Sequence, residues 1–317
     1  MRAILAQLLD RAAIHLAASR MPQPDGRELR LEAAQRLLAQ PDFFAPEVKT
    51  PVVEYFGPHD FRFTSPRPSA HAVNNIVYGR FYRCDEKWRD KPSVLLLHGW
   101  NDVLNHRFRF PGWARQLNHA GLNAVTLQLP YHFARRPREL GAWGNFLSAD
   151  VLRTVEATAQ ALADIRAVIE WLLAEACPAV GLWGISLGAW LAGLTICHDA
   201  RLQAAVLTVP VAHLDRLIDE VAFCATIRSA LRGRKVDLGR LNLTAQTPAI
   251  AKDKVLLIEA EYDLFIARET VEELWRAWDQ PEIWRLRHGH ISVLGAPGLL
   301  NRVAQWLSAK LGERAAR

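Results

Sequence analysis

The stretch that decides the fold is "AVGLWGISLGAWLAG", residues 179–193. A short apolar run ends at Ile185, a helix-like run begins at Leu187, and Ser186 stands between them, fenced by Gly184 and Gly188. Gly-x-Ser-x-Gly by itself is weak, because chance supplies about one match per ten chains of this length. Its setting between a predicted strand and a predicted helix carries the weight. There a sharp turn lifts a serine hydroxyl clear of the carboxyl edge of a sheet. Side chains at 184 or 188 would collide with neighbouring elements, so both positions call for glycine.

A reactive serine needs donors for an oxyanion, a base and an orienting acid. The N–H of Leu187, the residue after the serine, is one candidate donor. "LLLHGW" (95–100) ends another strand at His98-Gly99. The N–H of Trp100 is the natural second donor, with Gly99 letting the chain turn. Functional groups in open α/β sheets gather at the carboxyl ends of strands. "VLLIEAEYD" presents Glu261 and Asp263 at one such end, and "IWRLRHGH" presents His288 and His290 at the next. His290 is the expected base, since Gly289 frees the loop to swing the imidazole over the sheet edge. His288 is the competitor. Glu261, two residues before Asp263, competes for the place of the acid. The chain order serine, acid, histidine is the one associated with this elbow.

"LLLHGW", "GISLG", "EYD" and "HGHIS", in this order, resemble the α/β-hydrolase superfamily over roughly residues 70–311. "LPYHFARRP" followed by "GISLGAWLAGL" also resembles, more loosely, the alpha/beta hydrolase domain-containing protein 18 group. The resemblance implies an α/β-hydrolase fold, with a mostly parallel, twisted, eight-stranded sheet flanked by helices. It implies Ser186 after the fifth strand, a lid after the sixth, the acid after the seventh and the histidine after the eighth. Asp263 is preferred as the acid because the family acid sits in the turn just past the strand end, which "EYDLFI" resembles. The expected activity is that of a serine hydrolase cleaving a carboxylic ester, thioester or amide through an acyl-enzyme on Ser186. The alternatives are an acyltransferase using the same acyl-enzyme and a non-catalytic hydrolase-fold binding protein. No cofactor and no metal are expected.

The rest of the chain reads around that motif. It has 317 residues, half of them apolar, which is enough for one large α/β domain. Continuous apolar strands at "SVLLLHG", "LNAVTLQLP", "AVGLWG", "AAVLTV" and "KVLLIEAE" alternate with helical patterns at 107–120, 150–176, 187–198, 267–278 and 299–311. That alternation predicts a mostly parallel sheet covered on both faces. "EIWRLR" is a last strand, and "VVEYF", "FRFT" and "NNIVYGRFYR" are strand candidates before Lys91. The pattern in 150–176 predicts one buried face, bearing Val151, Val155, Leu162, Ile165, Ile169 and Leu172. Residues 211–247, mostly helical and too long for a simple crossover, fall where the family inserts a lid. Leu214, Leu217, Ile218, Val221 and Ile227 are its candidate pocket cover.

Residues 1–50 read as a helical extension to a hydrolase domain of 51–317. The extension carries two amphipathic helices, 4–19 and 27–39, the first with Leu5, Leu9, Ala12 and Leu16 on one side. Asp10 and Arg11 interrupt its apolar run, so a signal peptide is not expected. No run approaches the ~18 apolar residues of a membrane span. The helices lack the basic polar face of a membrane anchor and are expected to pack on the body.

The four cysteines have no metal-type spacing and read as free thiols in a reducing compartment, hence a cytoplasmic protein. The net charge of +6 comes largely from arginines read as solvated. Two basic groups stand out, Arg135, Arg136 and Arg138, then Arg232, Arg234 and Lys235. With no nucleic-acid motif, the expected partner is a small-molecule ester rather than nucleic acid, and the oligomeric state is open. His98, Gly99 and Tyr131 are the expected substrate contacts. Trp100, His132, Phe133 and Trp190 suggest an aromatic-lined pocket, although core packing accounts equally well for Trp190.

Overall fold

The computed structural model describes residues 2–21, 30–103, 105–141, 146–234 and 236–312. Five runs of apolar residues form the centre of the sheet: β4 (Ser93–Leu97), β5 (Asn123–Leu127), β6 (Val180–Ile185), β7 (Ala204–Thr208) and β8 (Val255–Ala260). Every residue of these strands is buried, as continuous apolar patterning demands of strands covered on both faces. They run parallel, and β9 (Glu282–Leu286) extends them as a half-exposed edge strand. On the other side β3 (Ile76–Tyr82) pairs antiparallel with β5, followed by β2 (Asp60–Thr64) and β1 (Glu54–Tyr55). The order is β1-β2-β3-β5-β4-β6-β7-β8-β9. Among the described residues the sheet thus has nine strands rather than eight. The addition is the two-residue β1, a hairpin partner of β2, and it moves each count in the expected pattern up by one.

Alternation along β4 divides the core. Leu95 and Leu97 face the side of α4 (Val151–Ala174) and α5 (Leu187–His198), whereas Val94 and Leu96 face α3 (Phe110–His119) and α9 (Leu299–Gly312). The helix α8 (Arg268–Ala277) adds Val271 and Leu274 to the first side. The six residues expected on the inner face of α4 are buried, but so are Ala157, Ala159, Ala161 and Val168 around it. The wider burial has a cause in sequence: α2 (Leu31–Leu38) packs on α4, so the helix is covered on two sides. Residues 27–29 of the predicted second helix lie outside the described residues.

The first helix, α1 (Arg2–Arg20), turns the other way from its apolar pattern. Leu5, Leu9, Ala12 and Leu16 are exposed, together with Ile4 and Leu8. Ala6, Asp10 and Ala17 are the buried positions. Small side chains let the helix backbone approach the body closely, and the carboxylate of Asp10 goes in with them. Among the described residues no helix is long and apolar enough to cross a membrane. The four cysteines are free, and Cys177, Cys197 and Cys224 are buried.

Arg135 departs from its expected solvated state. It is fully buried and forms an ion pair with Asp164 of α4 at 2.8 Å. Its guanidinium also donates to the carbonyls of Asn74 and Gln128, while Ser65 donates to Asp164 at 2.6 Å. Arg136 and Arg138 are exposed, and Lys235 lies outside the described residues. A buried pair is strongly destabilised when one partner is removed, because the other charge is left uncompensated. Arg135→Met should therefore cost roughly 3–5 kcal/mol in urea unfolding. Arg135→Met with Asp164→Leu should recover much of that loss. A single substitution costing under about 1 kcal/mol would mean the pair holds nothing.

Candidate active site

Strand register explains why the loop after β4 meets the turn after β6. Leu97 pairs with Gly184, so His98-Gly99-Trp100 leaves the sheet beside Ser186. The glycines are required by contact. A Cβ on Gly184 would lie 2.3 Å from the carbonyl of Gly188, and one on Gly188 would lie 2.3 Å from the carbonyl of Leu97. Between them Ser186 has φ 52° and ψ −113°, a sparsely populated backbone conformation that costs on the order of 1–3 kcal/mol and clusters at functional sites. Asn101, Tyr131, Phe133 and Val209, on the loops after β4, β5 and β7, also have left-handed φ at this sheet edge. The Ser186 N–H is anchored on the carbonyl of Thr208 at 2.9 Å. Leu187 opens α5, and the N–H groups of a first helical turn lack intrahelical acceptors.

Three side chains from three loops meet in a line. Ser186 Oγ lies 3.0 Å from His290 Nε2, and His290 Nδ1 lies 2.7 Å from Asp263 Oδ2. The other oxygen of Asp263 accepts the N–H groups of Phe265 and Ile266, at 2.7 and 2.8 Å. With both carboxylate oxygens accepting, Nδ1 carries the proton and Nε2 is left to accept from the serine hydroxyl. The Phe265 ring stacks on the imidazole at 4.6 Å. Burial disfavours the charged imidazolium. The Asp263 carboxylate, helped by Asp10 and Asp102, outweighs burial and raises the His290 pKa above its ordinary value.

The competitors lie elsewhere. Glu261 faces Arg287 at 3.7 Å. His288 contributes its carbonyl, which accepts the Tyr262 N–H at 2.9 Å, and does not line the cavity beside Ser186.

That cavity has a volume of about 350 Å³, within the range of small-molecule sites. Ser186, Leu187, His290, Gly99 and Trp100 lie on its wall, as do Trp190, Leu214, Leu217 and Phe223. The Trp100 and Phe223 rings stack at 5.0 Å, and Trp190 Nε1 donates to the carbonyl of Leu241. The helix α6 (Leu214–Glu220) and the turn Ala222–Cys224 bring Leu214, Leu217 and Phe223 to the cavity. Ile218 and Val221 are buried without reaching it, as is Ile227 of α7 (Ala225–Leu231).

Two expected substrate contacts are not on this wall. The ring of His98 is fully buried. Its Nε2 accepts the Leu129 N–H, leaving Nδ1 to donate to the Gly99 carbonyl. It therefore braces the loop from behind. Tyr131 packs against His71 and is 3% exposed. His132, His106 and Phe133 complete the cluster around His98. Burial brings the pKa values of His106 and His132 down to about 4, with Arg80 adding to the effect at His106 and Arg135 at His132. Burial, with His132 and His106 adding, carries His98 well below its ordinary value too. All three are therefore neutral near pH 7.

Sequence reasoning missed Arg109 and the α1 residues Ala13, Leu16 and Ala17, which also line the cavity. It missed Asp10 as well. The only sign at Asp10 was a carboxylate breaking an apolar helical run.

No protein-family model matches the chain. The chain is 30% identical over 244 residues to the uncharacterized proteins MT2702 and Rv2627c of Mycobacterium tuberculosis, a match covering 74% of this chain and 57% of each of them. It thus spans little more than half the length of these curated relatives. Among solved structures it is similar to an acetyl xylan esterase from Paenibacillus sp. R4, with TM-score 0.60 and 13% identity, covering 92% of this chain and 98% of that one. It is also similar to the Pyrococcus furiosus esterase Pf2001, with TM-score 0.55 and 16% identity over 84% of this chain and all of that one. A third is Est1E of Butyrivibrio proteoclasticus with ferulic acid bound, at TM-score 0.53 and 12% identity, covering 76% and 96%. The chain has the α/β-hydrolase fold, which it shares with these esterases.

Proposed function

We propose that this protein is a serine hydrolase that cleaves a carboxylic ester through an acyl-enzyme on Ser186. The observation that carries the proposal is the line from Ser186 Oγ to His290 to Asp263, at 3.0 and 2.7 Å, opening onto an apolar cavity. His290 Nε2 takes the hydroxyl proton as Ser186 Oγ attacks the ester carbonyl. Asp263 holds the required tautomer and stabilises the imidazolium. The N–H groups of Leu187 and Trp100 receive the developing oxyanion. His290 then returns the proton to the leaving alcohol, and water repeats the sequence on the acyl-enzyme. Two of the structural neighbours are esterases, which agrees with an ester as substrate.

Residues 211–247 act in this scheme as a lid, and α1 closes part of the same cavity through Ala13, Leu16 and Ala17. Leu217 on α6 touches the space an acyl chain would fill. Leu217→Ala should raise the ratio of octanoate to acetate kcat/KM by about tenfold, since a few methylenes in an apolar pocket are worth that much. A uniform loss across chain lengths would make the segment structural.

The proposal is tested with a panel of p-nitrophenyl esters of increasing acyl length, with and without alcohol and amine acceptors. Turnover releasing free acid supports it. Acyl products on the added acceptors would make the protein a transferase. A chain that neither turns over nor gives a burst of nitrophenol on any ester contradicts the proposal.

A further inference from the structure

Asp10 is the one α1 carboxylate driven fully into the body among the described residues, 280 residues from the histidine it touches. Its Oδ2 accepts the N–H of His290 at 2.8 Å and the N–H of Leu264 at 3.1 Å, and its Oδ1 accepts the N–H of Ile291 at 3.0 Å. Leu264 follows Asp263 on the loop after β8. His290 and Ile291 stand on the loop after β9. One carboxylate therefore joins the loop of the acid to the loop of the base. Hydrogen bonds to an ionised acceptor are roughly twice as strong as neutral ones.

A second observation points the same way. Gly289, beside His290, is absent from the residues with left-handed φ, so backbone freedom is not what the position uses. A Cβ there would lie 2.8 Å from Asp10 Oδ2 and 3.0 Å from Oδ1. The glycine of "HGH" makes room for the Asp10 carboxylate. The small residues of α1 that line the cavity, Ala13 and Ala17, are on the helix that this anchor holds down.

We propose that Asp10 is a positioning residue of the hydrolytic site. It ties the Asp263 loop to the His290 loop through their backbone N–H groups, which makes the N-terminal helix a working part of the triad. This rests on the reading of Ser186 as nucleophile. A misplacement of about 1 Å in a catalytic group can cost 10²-fold, so a tie between two of the three loops has leverage on rate. Its charge acts as well. Three carboxylates favour the His290 imidazolium: Asp263, which contacts the ring, Asp10, which contacts the backbone N–H, and Asp102.

The test compares the wild-type chain with Asp10→Asn and Gly289→Ala. The readouts are the rate of labelling by a fluorophosphonate probe, kcat and KM for a soluble p-nitrophenyl ester, and the pH profile of kcat/KM. Asp10→Asn should slow labelling and lower kcat by about 10²-fold with KM within a few-fold of wild type. Its acidic limb should move to lower pH, because a negative charge that favoured the imidazolium is gone; a merely structural loss leaves the limb in place.

Gly289→Ala should reproduce the rate loss by displacing the carboxylate. Added to Asp10→Ala, it should cost little more, since contacting residues are coupled. Should the Asp10 variants fail to fold, Gly289→Ala alone decides between a slowed folded enzyme and wild-type behaviour. Wild-type labelling and an unmoved pH profile in folded Asp10→Asn, or wild-type rates in Gly289→Ala, would overturn the proposal. A wild-type protein inert to the probe would refute the hydrolase reading itself, and that outcome is seen before any variant is made.

Discussion

Ser186→Ala should lower kcat for ester hydrolysis by about 10⁴–10⁶, the range for loss of a nucleophile from a triad acting as a unit. The residue stands on a strained turn whose form depends on Gly184 and Gly188. Alanine fits the same backbone, since only Oγ is removed. The variant should keep the stability of the wild type while losing activity, which separates chemistry from folding. The remaining rate would come from the oxyanion donors and from binding. Turnover within tenfold of wild type in folded Ser186→Ala would contradict the proposed chemistry, because Ser186 Oγ is the hydroxyl held 3.0 Å from His290 Nε2.

Asp263→Asn should cost about four decades in kcat. The reason is specific to the hydrogen bonds around it. Asp263 Oδ2 takes Nδ1–H of His290 while Oδ1 takes the N–H groups of Phe265 and Ile266. All three partners are donors. An amide at 263 must keep its oxygen on the two N–H groups, and its NH₂ then faces Nδ1. The imidazole answers by moving its proton to Nε2, the wrong nitrogen for a base toward Ser186 Oγ. Glu261→Gln should leave activity within a few-fold, since Glu261 faces Arg287. A larger loss in Glu261→Gln than in Asp263→Asn would transfer the role of the acid.

The parts of this arrangement that were legible in the sequence are those set by short-range pattern. A continuous apolar strand, two glycines around a serine and a helix after it are local, and β6, Ser186 and α5 follow from them. Asp263 and His290 were legible because each stands just past a strand whose end lies at the same sheet edge. What failed was long-range partnership. Arg135 looked like a solvated arginine because nothing near it in sequence announces Asp164, 29 residues on, or the carbonyl of Asn74. His98 looked like a contact for substrate because a strand-end histidine can point either way. The Leu129 N–H from the next strand's end decides that it points inward.

The first helix is the sharpest case. Leucine spacing predicted one side of α1 as the packed side, and that side is exposed. A hydrophobic pattern records where apolar residues lie, not which side finds partners. Three N–H groups on loops over 250 residues away, waiting for one acceptor, turn Asp10 inward. Gly289 suggests backbone freedom for the loop, but what its position uses is close approach to Asp10 rather than a special φ.

The most direct measurement is intact-protein mass spectrometry after incubation with a fluorophosphonate, followed by peptide mapping. One adduct per chain is expected, carried by the peptide containing Ser186, formed with wild type and absent in Ser186→Ala. Labelling should slow in His290→Gln, where no base remains. An unmodified wild-type chain, or an adduct on any residue other than Ser186, would contradict the proposed chemistry.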